Sequence, residues 1–209
     1  MPENSRDKGL LNWLFHHNKQ QTPEPPPAPP AEVAAEIETP VDPKTEQEAK
    51  KLLAELASKQ GKKFLHLIID DSPNKINEAY QRIEEAENPD NLQWAIAAKY
   101  TGQDGIELYR QFRKAENPLQ PNQVVILMDG NLDSKYGQAP YKKGIDVVDK
   151  IVEISKQNNW QLPFFVGGSS DQEENEKIQA AFPDLYLPTK RYLYYSEILS
   201  IIDTRVFNS

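Results

Sequence analysis

The sequence predicts an α/β domain: a five-stranded parallel sheet, doubly wound, with helices on both faces. Three observations lead there. Five short apolar runs rich in Val, Ile, Leu and Phe recur between residues 63 and 189, and a strand buried on both faces needs such a run. Helical segments alternate with the runs, their apolar residues repeating every three to four positions. Two of the runs stop abruptly on acid, "FLHLIIDDSP" at Asp70 and Asp71 and "VVILMDGNLD" at Asp129.

The front of the chain lies outside this alternation. Nine of the 17 prolines fall in residues 1–60, and "TPEPPPAPP" (22–30) holds six of them. Such a stretch has too few apolar groups to offset the entropy of ordering it, so residues 1–44 read as a disordered Pro-rich arm, a spacer or an SH3-type ligand. The short island "GLLNWLFHH" (9–17) within it is an anchor to a partner or membrane surface, or a locally collapsed end. Residues 45–61, "TEQEAKKLLAELASKQG", predict one preceding amphipathic helix. Thr45 and Glu48 fit a capping box, Leu52, Leu53 and Leu56 make a stripe, and Gly61 is the stop. The stripe packs on the following domain or on a second copy of the chain, which leaves a homodimer open.

The domain itself occupies residues 62–209. "KFLHLIID" is the first strand, and residues 73–87 are a helix with Ile76, Ala79, Tyr80 and Ile83 on one side. "LQWAIAAKY" and "GIELYRQFRKA" form the second strand and helix, the latter with Ile106, Leu108, Tyr109 and Phe112 apolar. "QVVILMD" and "GIDVVDKIVEISKQ" are the third pair, "LPFFVGG" and "DQEENEKIQAAF" the fourth, "LYLPT" and "YLYYSEILSIIDTRV" the fifth. Five β–α units in series imply a (βα)5 architecture.

Composition excludes several function classes. With no cysteine there is no disulfide framework, thiol nucleophile or zinc–thiolate site. The three histidines, His16, His17 and His66, are too dispersed for a metal cluster. A formal charge of −8 argues against nucleic acid as a partner. No apolar run approaches the ~20 residues of a membrane span and no signal-peptide core is present, so the expectation is a cytoplasmic protein.

The acids carry the functional signal. In open parallel α/β sheets, functional groups gather beyond the carboxyl ends of the strands. In the flavodoxin-like strand order the first and third strands are neighbours, which crowds Asp70, Asp71 and Asp129 at one edge. Like charges at that range repel unless a cation sits among them, and a hard divalent ion, Mg²⁺ first, fits oxygen ligands. The strand-four exit "VGGSSD" offers Gly167, Gly168, Ser169 and Ser170, and Lys190 follows strand five. An ammonium beside carboxylates can stabilise a transferred phosphoryl group.

This order of motifs, "IIDDSP", "TGQDGIELY", "ILMDGNL", "KGIDVVDKI", "LPFFVGGSS" and "LPTKRY", resembles the response-regulator receiver domain of two-component signalling, the chemotaxis-regulator-like fold, over residues 63–203. The resemblance implies that Asp70 and Asp71 hold Mg²⁺ with Asp129 and the backbone carbonyl of Asn131. It implies that Asp129 is the phosphoacceptor, that Lys190 contacts the phosphoryl group, and that Gly168 or Ser169 takes the place of the switch Thr/Ser. Three positions depart from the family pattern. Gly168 stands where the switch hydroxyl belongs, with Ser169 one place later and able to turn inward if Gly167 and Gly168 adopt positive φ. Arg191 replaces the proline after the lysine, and Leu187 the switch aromatic, with Tyr186 beside it.

Two functions follow. One is a stand-alone receiver, only six residues following Asp203, that accepts a phosphoryl group on Asp129 from a sensor histidine kinase or phosphotransfer protein and signals to an unknown downstream protein. It is a phosphoacceptor switch rather than an enzyme, beyond its own phosphorylation and dephosphorylation. The other is a degenerate receiver that acts as a protein-interaction scaffold without phosphoryl chemistry. A haloacid-dehalogenase-type phosphohydrolase would carry D-x-D after the first strand, and "DDSPNK" does not.

Overall fold

The computed structural model describes residues 42–87, 91–132, 140–188 and 195–208. The Pro-rich segment and the apolar island of the front arm lie outside the described residues. Five parallel strands form one sheet: β1 (Lys63–Ile69), β2 (Gln93–Lys99), β3 (Gln123–Met128), β4 (Phe164–Gly167) and β5 (Tyr186–Leu187). Their order is β2-β1-β3-β4-β5, the flavodoxin-like order expected. β1 and β3 are therefore hydrogen-bonded neighbours, with Ile69 opposite Met128. That register brings Asp70 and Asp129, the next residues on each strand, side by side.

The sheet separates two apolar layers, as the two-residue period of strands requires. Leu65, Leu67, Ile69, Val124, Ile126 and Met128 face one layer, against α1 (Pro43–Ser58), α3 (Gly102–Ala115) and α4 (Gly144–Gln157). Phe64, Ile68, Val125 and Leu127 face the other, against α2 (Pro73–Glu85) and α6 (Tyr195–Ile202). α5 (Gln172–Ala181) follows β4 and sends Ile178 into the first layer. A π turn over Asp203–Phe207 follows α6 and is tied to the foot of β1 by Lys62 and Asp203, 2.6 Å apart.

The preceding helix starts and stops earlier than the sequence predicts. Asp42 caps α1, accepting from Lys44 N–H at 3.0 Å, and Pro43 takes the first helical position. A proline there loses no hydrogen bond and brings its φ preset, which outweighs the Thr45–Glu48 box. Glu48 instead pairs with Lys99 at the end of β2. The helix ends at Ser58, and Gly61, at φ +102°, turns the chain into β1.

α1 is a working part of the domain. Ala49, Leu52 and Leu56 are buried against α3 and the edge strand β2. Lys59, just past its end, donates to the carbonyl of Trp94 on that strand. Covering a sheet edge in this way keeps it from pairing with other chains.

α3 begins three residues before its predicted start because Thr101 caps it, accepting from Asp104 N–H at 3.1 Å. At its far end Arg113 is buried and fully committed. It pairs with Glu116 at 2.6 Å, donates to the carbonyls of Asn122 (2.9 Å) and Gln161 (3.0 Å), and lies over the Tyr109 ring. These bonds hold the entries to β3 and β4 in place, opposite the end that carries the acids. Among the described residues, no helix is long and apolar enough to cross a membrane.

The burial of Leu56 gives a direct measure of how far α1 belongs to the fold. Leu56→Ala should cost about 2–5 kcal/mol in urea unfolding, the range of core leucine truncations, with a single transition. A loss under about 0.5 kcal/mol, typical of surface positions, would mean that the helix is an accessory.

Candidate acidic site at the strand ends

Asp70 and Asp71 leave β1 and Asp129 leaves β3, and one carboxylate oxygen of each lies within 4.8 Å of the others. Asp70 and Asp129 are buried, at 4% and 3% exposure, and Asp71 is half-buried. The turn out of β1 fixes this geometry. Asp70 accepts Ser72 N–H at 2.8 Å, and Ser72 then caps α2, whose first residue is Pro73.

Burial dominates the electrostatics. It pushes the Asp70 carboxyl up to about 6 against the opposing Ser72 N–H, with Asp129 adding to the rise and Lys75 reducing it. Burial also raises Asp129, while Lys75 lowers it, Asp71 raises it, and a hydrogen bond from the Ser169 side chain favours its charged form. Ionising all three acids therefore carries an unmet cost, which a cation among them would offset. The donor set of three carboxylates fits a hard divalent ion, and Asn131 follows Asp129 by two residues. Two bonds, Leu132 N–H to Lys142 carbonyl and Gly144 N–H to Gly130 carbonyl, close an antiparallel bridge between Asn131 and Lys143. Neither uses the backbone groups of Asn131, so its carbonyl is not spent on the bridge.

Lys75 is the cation that the sequence reading missed. Its Nζ lies 3.4 Å from Asp129 Oδ2 and 3.8 Å from Asp70 Oδ2. The signal was present: a lysine in the first turn of α2, a turn with no acid of its own. Helix N-termini disfavour cations, so a lysine there calls for an anion nearby. Lys190 and Arg191 lie outside the described residues, as do residues 133–139 between β3 and α4.

At the β4 exit, Ser169 is buried and its Oγ accepts Asp171 N–H at 3.1 Å. Asn175 of α5 grips the Ser169 peptide from both sides, accepting from its N–H at 3.3 Å and donating to its carbonyl at 2.9 Å. The two glycines before it act differently from the expectation. Neither adopts positive φ, and Gly61 is the one glycine among the described residues that does. They are needed for close approach instead. A Cβ on Gly167 would lie 2.5 Å from Tyr186 Oη and 2.6 Å from Asn175 Oδ1. Gly168 continues the ladder, donating to Met128 carbonyl at 2.7 Å. A Cβ there would come within 3.1 Å of both Leu127 Cγ and that carbonyl. The hydroxyl beside Asp129 is thus Ser169, while Gly168 holds β4 against β3.

The loop that leaves β3 is also tied to its surroundings. A Cβ on Gly130 would sit 2.4 Å from Glu174 Cβ, and one on Gly144 would sit 2.3 Å from Asp129 carbonyl. Lys143 bonds the Asn131 side chain and lies 3.5 Å from Glu174. Lys177, then Lys143, holds the Glu174 carboxyl below the usual range. A lysine before α4 and a glutamate inside α5 give no sequence cue that they meet.

No family model matches the sequence, and no curated protein matches it. Solved structures similar to the chain are response-regulator receivers. A receiver protein from Dyadobacter fermentans DSM 18053 is 14% identical, covering 68% of this chain and 98% of that one, with a TM-score of 0.43. A CheY-like receiver domain protein from Methanospirillum hungatei JF-1 is 16% identical, covering 69% and 98%, with a TM-score of 0.40. The phosphorylated cyanobacterial phytochrome response regulator RcpA is 19% identical, covering 72% and 97%, with a TM-score of 0.43.

Two buried groups give the metal-free protein opposing pH dependences. His66, in the middle of β1, is 2% exposed and its Nε2 has no hydrogen-bond partner among the described residues. Burial lowers its pKa to about 4. Between pH 6.5 and 4 the unfolded chain takes a proton that the folded one refuses, so this term weakens the fold as pH falls. Asp70 does the reverse. Its folded carboxyl keeps a proton up to about pH 6, so this term weakens the fold as pH rises from about 4 to 6. Each is worth roughly 3 kcal/mol at most. The parent should therefore show a shallow profile over pH 4–6 in urea unfolding. His66→Leu should expose a falling stability with rising pH, and Asp70→Asn a rising one. Two mutant profiles parallel to the parent would refute the assignment.

Proposed function

We propose that the protein is a receiver-type phosphoacceptor, in which Asp129 takes a phosphoryl group from the phosphohistidine of a sensor kinase or phosphotransfer protein in the cytoplasm. The observation that carries this reading is the trio of carboxylates within 4.8 Å at the ends of adjacent parallel strands. A carboxylate oxygen of Asp129 attacks phosphorus in line. The P–N bond breaks, its electron pair stays on the imidazole, and an aspartyl phosphate forms. Water attack on that phosphorus later returns the carboxylate. Such a transfer asks for positioning and charge neutralisation, and for little covalent chemistry from the protein.

Asp70, Asp71, Asp129 and the Asn131 carbonyl would hold Mg²⁺, which when bound supplies neutralisation of the carboxylates and phosphoryl oxygens. Ser169 would donate its hydroxyl to a phosphoryl oxygen on Asp129, with Asn175 holding the Ser169 peptide. Lys190 is proposed as a second cationic contact. The Ser169 loop and the Lys143–Glu174 pair lead away from Asp129 to α5, a route for a signal to a downstream protein.

A second reading, a scaffold without phosphoryl chemistry, draws support from two observations. Lys75 partly neutralises the acids without metal, and the switch aromatic of the receiver pattern is the buried Leu187. Acetyl phosphate or phosphoramidate separates the readings. The receiver reading expects a Mg²⁺-dependent intact-mass gain of one phosphoryl group, lost in Asp129→Asn. No gain with Mg²⁺ present would leave the scaffold. Ser169→Ala should keep the mass gain but lose the chemical-shift response of α5 to beryllofluoride. A hydrogen bond to a charged group is worth about 1.5–3 kcal/mol, enough to erase a tenfold population shift. An undiminished response in Ser169→Ala would route the signal elsewhere.

A further inference from the structure

Lys75 faces the same oxygens that a divalent ion would use. Its ammonium lies 3.4 Å from Asp129 Oδ2 and 3.8 Å from Asp70 Oδ2, inside a group of carboxylate oxygens that spans 4.8 Å. A hard cation sits about 2.0–2.6 Å from its oxygen ligands. One placed among these three acids would be within a few ångströms of the Lys75 nitrogen. Two cations at that separation repel strongly where water is partly excluded. The ammonium and the metal therefore cannot share the site.

The lysine is also attached to the site it fills. Asp70, Asp71, Ser72 and Lys75 belong to one turn, closed by Ser72 N–H on Asp70 Oδ1 at 2.8 Å and by Lys75 N–H on Ser72 Oγ at 3.5 Å. Pro73 fixes the backbone between them. The ammonium is thus delivered to the acids at a high local concentration. Its side chain is 32% exposed, so it has a route out to solvent without unfolding anything.

We propose that Lys75 is a tethered counter-ion that competes with the divalent cation, so that metal binding at this site is an exchange of an ammonium for a metal. This rests on the reading of Asp70, Asp71 and Asp129 as a metal site. The exchange has two consequences. The metal-free protein is held folded with its acids partly neutralised, and the metal binds more weakly than three carboxylates alone would allow.

Calorimetric Mg²⁺ and Mn²⁺ titrations of the full chain, with thermal unfolding at zero and saturating metal, test this in the parent, Lys75→Met and Lys75→Arg. Lys75→Met should bind Mg²⁺ about tenfold more tightly, the scale of removing one nearby charge at a partly exposed site. Lys75→Arg should stay within about twofold of the parent, since it keeps the charge. Without metal Lys75→Met should unfold at a lower temperature than the parent, and saturating Mg²⁺ should close or reverse that gap. A lysine with a merely structural role would leave the gap unchanged by metal. Lys75→Gln, read by the same titration, decides the question if Lys75→Met does not fold without metal. Equal Mg²⁺ affinity in the parent and the neutral variants overturns the competition and leaves the metal site standing. Absence of metal binding in every variant overturns both.

Discussion

Three carboxylates share a space 4.8 Å across at the ends of two adjacent parallel strands, two of them buried, and the surrounding structure is arranged around that repulsion. Charges so close in a partly dehydrated site must be protonated, hydrogen-bonded or matched by a cation. Each device is present. Asp70 keeps its proton to about pH 6 and accepts the Ser72 N–H, while Asp129 lies near the Ser169 hydroxyl and the Lys75 ammonium. None of these cancels the cost of ionisation, and burial still leaves Asp70 and Asp129 above the usual carboxylate range.

Close approach of neighbouring elements shapes the surroundings of the site. Gly130 and Gly144 let α5 and the start of α4 approach the loop that leaves β3 more closely than a Cβ at either position would allow. The Asn131–Lys143 bridge then joins the exit of β3 to the start of α4. Asn175 and Glu174, adjacent on α5, reach the Ser169 loop and Lys143 respectively. α5 therefore touches the surroundings of Asp129 at two neighbouring points.

The opposite end of the sheet is organised for permanence. Arg113 spends its guanidinium on Glu116 and two carbonyls, and removing one partner of so buried a pair would strand the other. α1 covers the β2 edge. The chemically adjustable groups and the fixed ones are thus separated by the length of the strands.

The sequence by itself determined the architecture and the acidic trio. Apolar runs of strand length that alternate with helical segments imply parallel strands buried on both faces, and an aspartate directly after such a run, as at Asp70 and Asp129, emerges at the carboxyl edge. The α1 boundaries were misjudged by two or three residues because Asp42–Pro43 is a stronger start than Thr45–Glu48. What lay beyond the sequence, the acidic trio apart, was which distant residues meet. The first turn of α2 signalled an anion near Lys75 but not that Asp129, 54 positions away, supplies it, and nothing local pairs Glu174 with Lys143, 31 positions apart. The roles of Gly167 and Gly168 were likewise undecidable, since a glycine reads the same whether it serves a positive φ or a close approach. Only the packing of Tyr186, Asn175 and the Met128 carbonyl against those two residues chose between them.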